Sequence, residues 1–383
     1  MFFSHLECSR PCDVGPLDPR RRHHLCRCGA PLFARYDLNA AKEWTPETLR
    51  LREPTLWRYR ELLPLFPGES PVTLGEGFTP LVRAARLGAE LGLSRLYVKD
   101  ESSNPTNSFK ARGQTTAVTR ARELGATTLS VPTAGNAGCA LAAYAARAGL
   151  EARIFMPKDV KRPFVDESTL LGGTVELVDG LITDAGRVAA ERGGPLGWYD
   201  VSTLKEPYRL EGKKTMAFEL AEQLEWRWPD VIVYPAGGGT GLIGMWKAFQ
   251  ELRAAGWVEG ELPRMFTVQS AGCAPIVKAF ASGADHASPW PDPRTVASGL
   301  RVPGPLGDRI MLRILRESNG GAVAVDDDKL SAAARYGSQL EGIDFAPEGG
   351  AAIAAAASLR ADGVLGPEHS VVVFNTGAGW LYR

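Results

Sequence analysis

The sequence contains no uninterrupted apolar run long enough to span a bilayer, so it offers no transmembrane helix. It carries no excess of either charge: 44 Lys and Arg face 44 Asp and Glu, which gives neither the basic field of a nucleic-acid binder nor attraction to an anionic membrane. The N-terminus, Met1-Phe-Phe-Ser-His-Leu-Glu-Cys8, lacks the basic flank, long apolar core and small-residue cleavage site of a signal peptide, and the expected compartment is the cytoplasm. Cysteine is scarce, at 6 in 383 residues, which argues against a disulfide framework in a chain this large. Cys139 and Cys273 stand alone and read as small apolar packing residues. No G-x-x-x-x-G-K-[ST] motif, internal repeat or low-complexity tract occurs.

The remaining four cysteines fall within the first 28 residues, as Cys8, Cys12, Cys26 and Cys28, around the basic run Arg20-Arg-Arg-His-His24. Two close pairs separated by a short loop resemble a zinc ribbon. The spacing, C-x3-C and then C-x-C, departs from the usual two intervening residues. A single residue between Cys26 and Cys28 makes it harder for both sulfurs to reach one tetrahedral ion, and His23 or His24 could replace a cysteine. Four protein ligands would leave no open position, so such a metal would be structural. The alternative is a reduced knuckle that only packs.

From residue 70 onward the pattern alternates. Strands are expected at Leu96–Lys99, Thr128–Pro132, Ala152–Met156, Thr174–Val178, Val231–Tyr234, Met265–Gln269, Ala322–Val325 and Ser370–Phe374. Helices are expected between them, for example Cys139–Ala148, Lys213–Leu224 and Gly241–Leu252. Near-continuous apolar strands alternating with helices indicate an α/β chain with parallel sheets covered on both faces. In such sheets ligands bind beyond the carboxyl ends of the strands. Three strands end in turns suited to that. Pro132-Thr-Ala-Gly-Asn136-Ala-Gly138 follows one. Pro235-Ala-Gly237-Gly238-Gly239-Thr240-Gly241 follows another, and its glycines let successive N–H groups converge on an anion at a helix start. Phe374-Asn-Thr376-Gly377-Ala-Gly379 lies near the C-terminus. Gly239–Gly244 also fits G-x-G-x-x-G, but the next strand ends Val268-Gln269-Ser270, without the carboxylate a dinucleotide ribose requires. A fourth segment, Ser108-Phe109-Lys110-Ala111-Arg112-Gly113, sets a lysine among small polar residues before an expected helix. A desolvated lysine there suits imine chemistry.

In this order the motifs resemble the fold-type-II pyridoxal-phosphate enzymes of the tryptophan synthase β-like type, and the threonine synthases in particular. The resemblance spans nearly the whole chain. It includes Cys28-Gly-Ala-Pro-Leu, Trp57-Arg-Tyr-Arg-Glu-Leu-Leu-Pro64, Leu74-Gly-Glu-Gly77 and Pro207-Tyr-Arg-Leu-Glu-Gly212. It implies two open, mostly parallel sheet domains: a large one over 38–124 and 216–383, a small one over 125–215, and an N-terminal knuckle over 1–37. It implies that Lys110 bonds the cofactor aldehyde, that Phe109 supports the ring, and that Asn136 bonds the phenolic oxygen. It implies that Gly237, Gly238, Gly239, Thr240 and Gly241 hold the cofactor phosphate and that Thr376 faces the pyridine nitrogen. Thr133 would lie near the substrate carboxylate and Arg209 near the substrate phosphate. The resemblance also implies a homodimer acting on a small amino-acid substrate. A hydroxyl opposite the ring nitrogen, rather than a carboxylate, favours elimination and replacement at the β and γ carbons.

The chain departs from the threonine synthase pattern at several positions. Ala134 and Ala137 stand where that family places hydroxyls around the substrate phosphate, Ser202-Thr203 aligns only loosely with its Asn-Ser pair, Ala111 replaces an aspartate, and Asn107 replaces a glycine. Each lost charge-assisted hydrogen bond to a phosphate weakens binding by about 1.5–3 kcal/mol. These losses favour, as the alternative, β-elimination or β-replacement on serine, threonine or a related amino acid. Arg209, Lys205, Lys213 and Lys214 are candidates to compensate, although at least two of the three lysines are expected to be solvated at a helix start.

Overall fold

The computed structural model describes residues 1–383, apart from the side chain of Glu43. Twelve strands form three sheets. β1 (Phe3–Cys8) and β2 (Leu32–Tyr36) make an antiparallel pair. A four-stranded parallel sheet has the order β7 (Thr174–Val178), β6 (Glu151–Pro157), β5 (Thr128–Pro132), β8 (Tyr199–Asp200). A six-stranded sheet has the order β11 (Gly321–Val325), β10 (Arg264–Ser270), β9 (Val231–Pro235), β12 (Ser370–Asn375), β4 (Arg95–Asp100), β3 (Leu81–Arg83), and only β3 runs antiparallel.

The expected burial on both faces is found in the six-stranded sheet. Every residue of β9 and of β12 is buried. Alternate side chains enter opposite cores: Ile232, Tyr234, Val372 and Phe374 pack on one side, and Val231, Val233, Val371 and Val373 on the other. The second side holds the alanine-rich helix Pro347–Ala361. This is the α/β architecture expected of fold-type-II chains.

Two helices pack unusually closely against each other. Lys110–Glu123 crosses Tyr208–Gln223 at Gly212, where an added Cβ would lie 1.7 Å from the Arg112 carbonyl oxygen. Beside this crossing lies a fully buried ionic cluster. Arg112 Nε bonds Glu101 Oε2 at 2.5 Å, Arg112 Nη2 bonds Glu219 Oε2 at 2.7 Å, and Lys99 Nζ bonds Glu219 Oε2 at 2.8 Å. None of these four side chains is exposed. Charges this deeply buried are tolerable only when paired and fully hydrogen-bonded. The cluster ties the start of the Lys110 helix to β4 and to the helix carrying Arg209.

Candidate active site

The sheet order explains why distant motifs meet. β9, β12 and β4 are adjacent and parallel, so their carboxyl ends lie side by side. The segment beyond β4 leads to Lys110, the one beyond β12 carries Thr376, and the one beyond β9 is the glycine turn. The Lys110 loop is stitched to the Thr376 loop: Phe109 N–H donates to the Thr376 carbonyl at 3.0 Å, and Ala378 N–H to the Asn107 carbonyl at 2.9 Å. To make that turn, Thr106 and Asn107 take φ of 56° and 55°. Asparagine tolerates this left-handed conformation well, which accounts for its presence in place of a glycine; at the β-branched Thr106 it is strained.

Lys110 is the first residue of its helix and is half-buried. Its Nζ lies 4.0 Å from the centroid of the Phe109 ring. Burial draws the amine down to about 7, Arg209 pushes it further the same way, and Glu348 opposes both. An amine in that range is substantially unprotonated at neutral pH and competent as nucleophile or base. The Phe109 ring packs edge-on against Tyr234 of β9, with centroids 6.2 Å apart.

The glycine turn enters the helix Thr240–Ala254, whose first regular bond is Ile243 N–H to the Gly239 carbonyl, 3.0 Å. Among the described residues, the N–H groups of Gly237, Gly238, Gly239, Thr240 and Gly241 donate to no backbone acceptor. The helix dipole adds to this nest of free donors. Packing demands the glycines as well: an added Cβ at Gly241 would lie 2.0 Å from the Tyr234 hydroxyl. The donor set fits a phosphate.

Asn136 begins the helix Asn136–Ala148 after β5, from the other sheet. Its Nδ2 donates to the Tyr382 hydroxyl at 3.0 Å, and its Oδ1 is buried without a partner. The turn before it needs Gly135, whose φ is 140° and whose Cβ would strike the Phe164 ring at 2.6 Å. Thr133 lies at the head of the same turn, its Oγ1 accepting from Gly135 N–H at 3.0 Å. An added Cβ on Gly377 would sit 3.8 Å from Asn136 Nδ2, so the turns beyond β5 and β12 touch.

Arg209 is buried; its Nη1 donates to the Val201 carbonyl at 2.6 Å, while its Nε lacks a partner. Thr203, two residues beyond that carbonyl, packs its methyl beside Gly238, where an added Cβ would lie 2.8 Å away. The loosely aligned Ser202-Thr203 segment is thereby brought between Arg209 and the glycine turn. The expectation of solvated lysines fails at two of the three positions. Lys213 and Lys214 are fully buried, because the helix Tyr208–Gln223 begins five residues earlier than expected and is covered by the helices Lys110–Glu123 and Thr240–Ala254.

Several residues that sequence reasoning passed over also line this region. Glu206 caps the Arg209 helix by accepting from Tyr208 N–H and Arg209 N–H at 2.8 and 2.7 Å; burial raises its carboxyl to about 7 against those bonds. Glu348 accepts from Gly299 N–H at 2.8 Å and leaves Oε2 unpartnered; burial pushes its carboxyl up as well. Tyr382, the penultimate residue, lies beside Asn136 and Glu348. Only Glu206 carried a local signal, a glutamate immediately before a proline that opens a helix.

The four N-terminal cysteines stand apart: Cys8 ends β1, and Cys12, Cys26 and Cys28 lie in the segment between β1 and β2. Their four Sγ atoms all lie within 4.8 Å of one another. A tetrahedral ion with bonds of about 2.3 Å puts its sulfurs about 3.8 Å apart, so the cluster is of ligand size. The single residue between Cys26 and Cys28 suffices because Gly29, with φ of 80°, closes a tight turn in which Gly29 N–H bonds the Cys26 carbonyl at 2.8 Å.

A family model described as pyridoxal-phosphate dependent enzyme matches residues 72–377. The threonine synthase of Methanocaldococcus jannaschii is 35% identical over 376 residues, covering 98% of this chain and 91% of that protein. The threonine synthase of Methanosarcina acetivorans is 37% identical over 352 residues, covering 92% and 86%. This chain belongs to the threonine synthase family of pyridoxal-phosphate-dependent enzymes. Solved structures agree on the fold. Maize serine racemase matches with a TM-score of 0.67 at 21% identity, covering 79% of this chain and 88% of that one. Processed threonine deaminase isoform 2 from Solanum lycopersicum matches with 0.67 at 24%, covering 78% and 83%. Among the described residues, no helix is long and apolar enough to cross a membrane.

Proposed function

We propose that this protein converts O-phospho-L-homoserine and water to L-threonine and phosphate. The observation that carries this is the convergence of Lys110, the free N–H nest of Gly237–Gly241 and Thr376 at the ends of three adjacent strands, in a chain of threonine synthase descent. Pyridoxal phosphate, when bound, supplies the electron sink that acidifies the substrate Cα proton. Lys110 would hold the cofactor aldehyde, and afterwards its unprotonated amine takes the Cα proton and moves the Cβ proton. Phe109 would support the ring, Asn136 would bond the phenolic oxygen, the glycine turn and Thr240 would hold the cofactor phosphate, and Thr376 would offer its hydroxyl to the ring nitrogen. Thr133 meets the substrate carboxylate and Arg209 the substrate phosphate. The 38–124/216–383 and 125–215 units would flank this cleft, with the 215/216 boundary falling inside the helix Tyr208–Gln223. The Cys8, Cys12, Cys26 and Cys28 cluster would hold one structural zinc in the 1–37 knuckle, and the working form would be a cytoplasmic homodimer.

Phosphate release from O-phospho-L-homoserine, matched mole for mole by threonine, is the expected result. Release of 2-oxo acid from serine or threonine without phosphate from O-phospho-L-homoserine would replace this reading with β-elimination, which Ala134 and Ala137 favour.

A further inference from the structure

Three lysines have completely buried side chains, and two of them are paired. Lys99 bonds Glu219 at 2.8 Å, and Lys214 bonds Glu211 and Glu251, each at 2.8 Å. Among the described residues, Lys213 has no partner for its Nζ. A buried amine without an acceptor is costly whether it keeps its proton or gives it up, and such a group calls for an explanation.

Its position indicates the use. Lys213 stands one helical turn after Arg209, so both cations share a face of the helix Tyr208–Gln223. That face meets the start of the Lys110 helix at Gly113, where an added Cβ would lie 2.2 Å from Lys213 Nζ and 2.9 Å from the Arg209 carbonyl oxygen. Lys213 Nζ lies 5.4 Å from the Phe109 ring centroid, and Lys110 Nζ lies 4.0 Å from the same centroid. Arg209, itself short of a partner at Nε, completes a cluster of three basic side chains. Three carboxyls face it, Glu206, Asp200 and Glu348; Glu206 is engaged as a helix cap and Asp200 accepts from Ser202 N–H at 2.8 Å. Arg209 Nε and Lys213 Nζ are its donors left without an acceptor.

We propose that Lys213 pairs with Arg209 to bind the phosphate monoester of the substrate, replacing the hydroxyl donors that Ala134 and Ala137 remove. This rests on the phosphohomoserine reading above and supplies the donor that reading lacks. Lys213 is a specificity residue: without a phosphate it stays uncharged, because burial, Arg209 and Lys110 all hold its ammonium well below the ordinary lysine range. A phosphate dianion held by Arg209 and Lys213 restores the charge by drawing a proton onto Nζ.

The test uses the cofactor-loaded enzyme and the variants Lys213→Met and Lys213→Gln. Both should raise KM for O-phospho-L-homoserine by about 10- to 100-fold, the span of one charge-assisted hydrogen bond, with kcat changing far less. Calorimetry with inorganic phosphate should show wild-type binding weakened by the same factor in both variants, while affinity for pyridoxal phosphate and its visible absorbance stay unchanged. Without phosphate, Lys213→Met should unfold at a higher temperature than wild type, because it removes an unpaired buried amine. Unchanged KM and phosphate affinity in a folded variant would overturn the proposal. So would loss of pyridoxal phosphate instead, which would assign Lys213 to the cofactor phosphate. If wild type binds phosphate through Lys213 yet releases none from O-phospho-L-homoserine, the reaction reading fails and the site stands.

Discussion

Replacing Glu219 by glutamine tests whether the buried ionic cluster holds the catalytic lysine's helix in place. The Glu219 carboxylate accepts five hydrogen bonds. Phe78 N–H and Arg112 Nη1 reach Oε1, at 2.7 and 2.5 Å. Thr79 N–H, Lys99 Nζ and Arg112 Nη2 reach Oε2, at 3.2, 2.8 and 2.7 Å. Glutamine keeps the shape, but whichever oxygen becomes an amide faces two or three donors with a donor of its own. Burial alone would raise the Glu219 carboxyl; Arg112 and Lys99 outweigh burial and hold it down to about 2, from an ordinary 4.5. At about 1.4 kcal/mol per pH unit, that drop is worth about 3 kcal/mol of stability at neutral pH. Breaking one partner of a buried pair costs about 3–5 kcal/mol, which agrees. Because the folded value lies below the unfolded one, the contribution is complete above about pH 4.5 and drains away as pH falls toward 2. Urea unfolding should therefore show Glu219→Gln about 3 kcal/mol less stable than wild type at pH 7, with the gap falling to less than about half by pH 3. A deficit under about 1 kcal/mol at pH 7, or one that does not shrink on acidification, would refute this account of the cluster.

Gly212→Ala should cost at least about 3 kcal/mol or abolish soluble expression, because its methyl would meet the Arg112 carbonyl oxygen at 1.7 Å and separate the two helices carrying Lys110 and Arg209. Circular dichroism melts check the outcome. Recombination of apoprotein with pyridoxal phosphate should speed up as pH rises through about 7 and then level off, since the Lys110 amine loses its proton there; stopped-flow absorbance that still climbs above pH 9 would contradict that. In Lys110→Ala the same absorbance should never develop. Cys12→Ser and Cys26→Ser should each remove the zinc expected at one per chain by elemental analysis, and lower the melting temperature while leaving cofactor absorbance in place.

What was legible in the sequence follows the range of the interactions involved. β9 could be read because five consecutive buried residues leave an apolar run, and its glycine turn because backbone at a strand end needs conformations that only glycine takes cheaply. Sheet order was not legible. Nothing local says that β12, formed by the last strand residues, inserts between β9 and β4, yet that insertion is what sets Thr376 beside Lys110. The buried lysines show the same limit. Lys214 reads as a surface charge until Glu251, 37 residues on and in another helix, arrives to pair with it. Tyr382 and Glu348 reach Asn136 and Lys110 only through the closed chain. Lys213 is the instructive exception. Its spacing from Arg209 already put two cations on one helix face, and the glycine at 113 already left room opposite. What the sequence could not say is that, among the described residues, no carboxylate would hydrogen-bond its Nζ, and that missing partner is the physical argument for an anion delivered by the substrate.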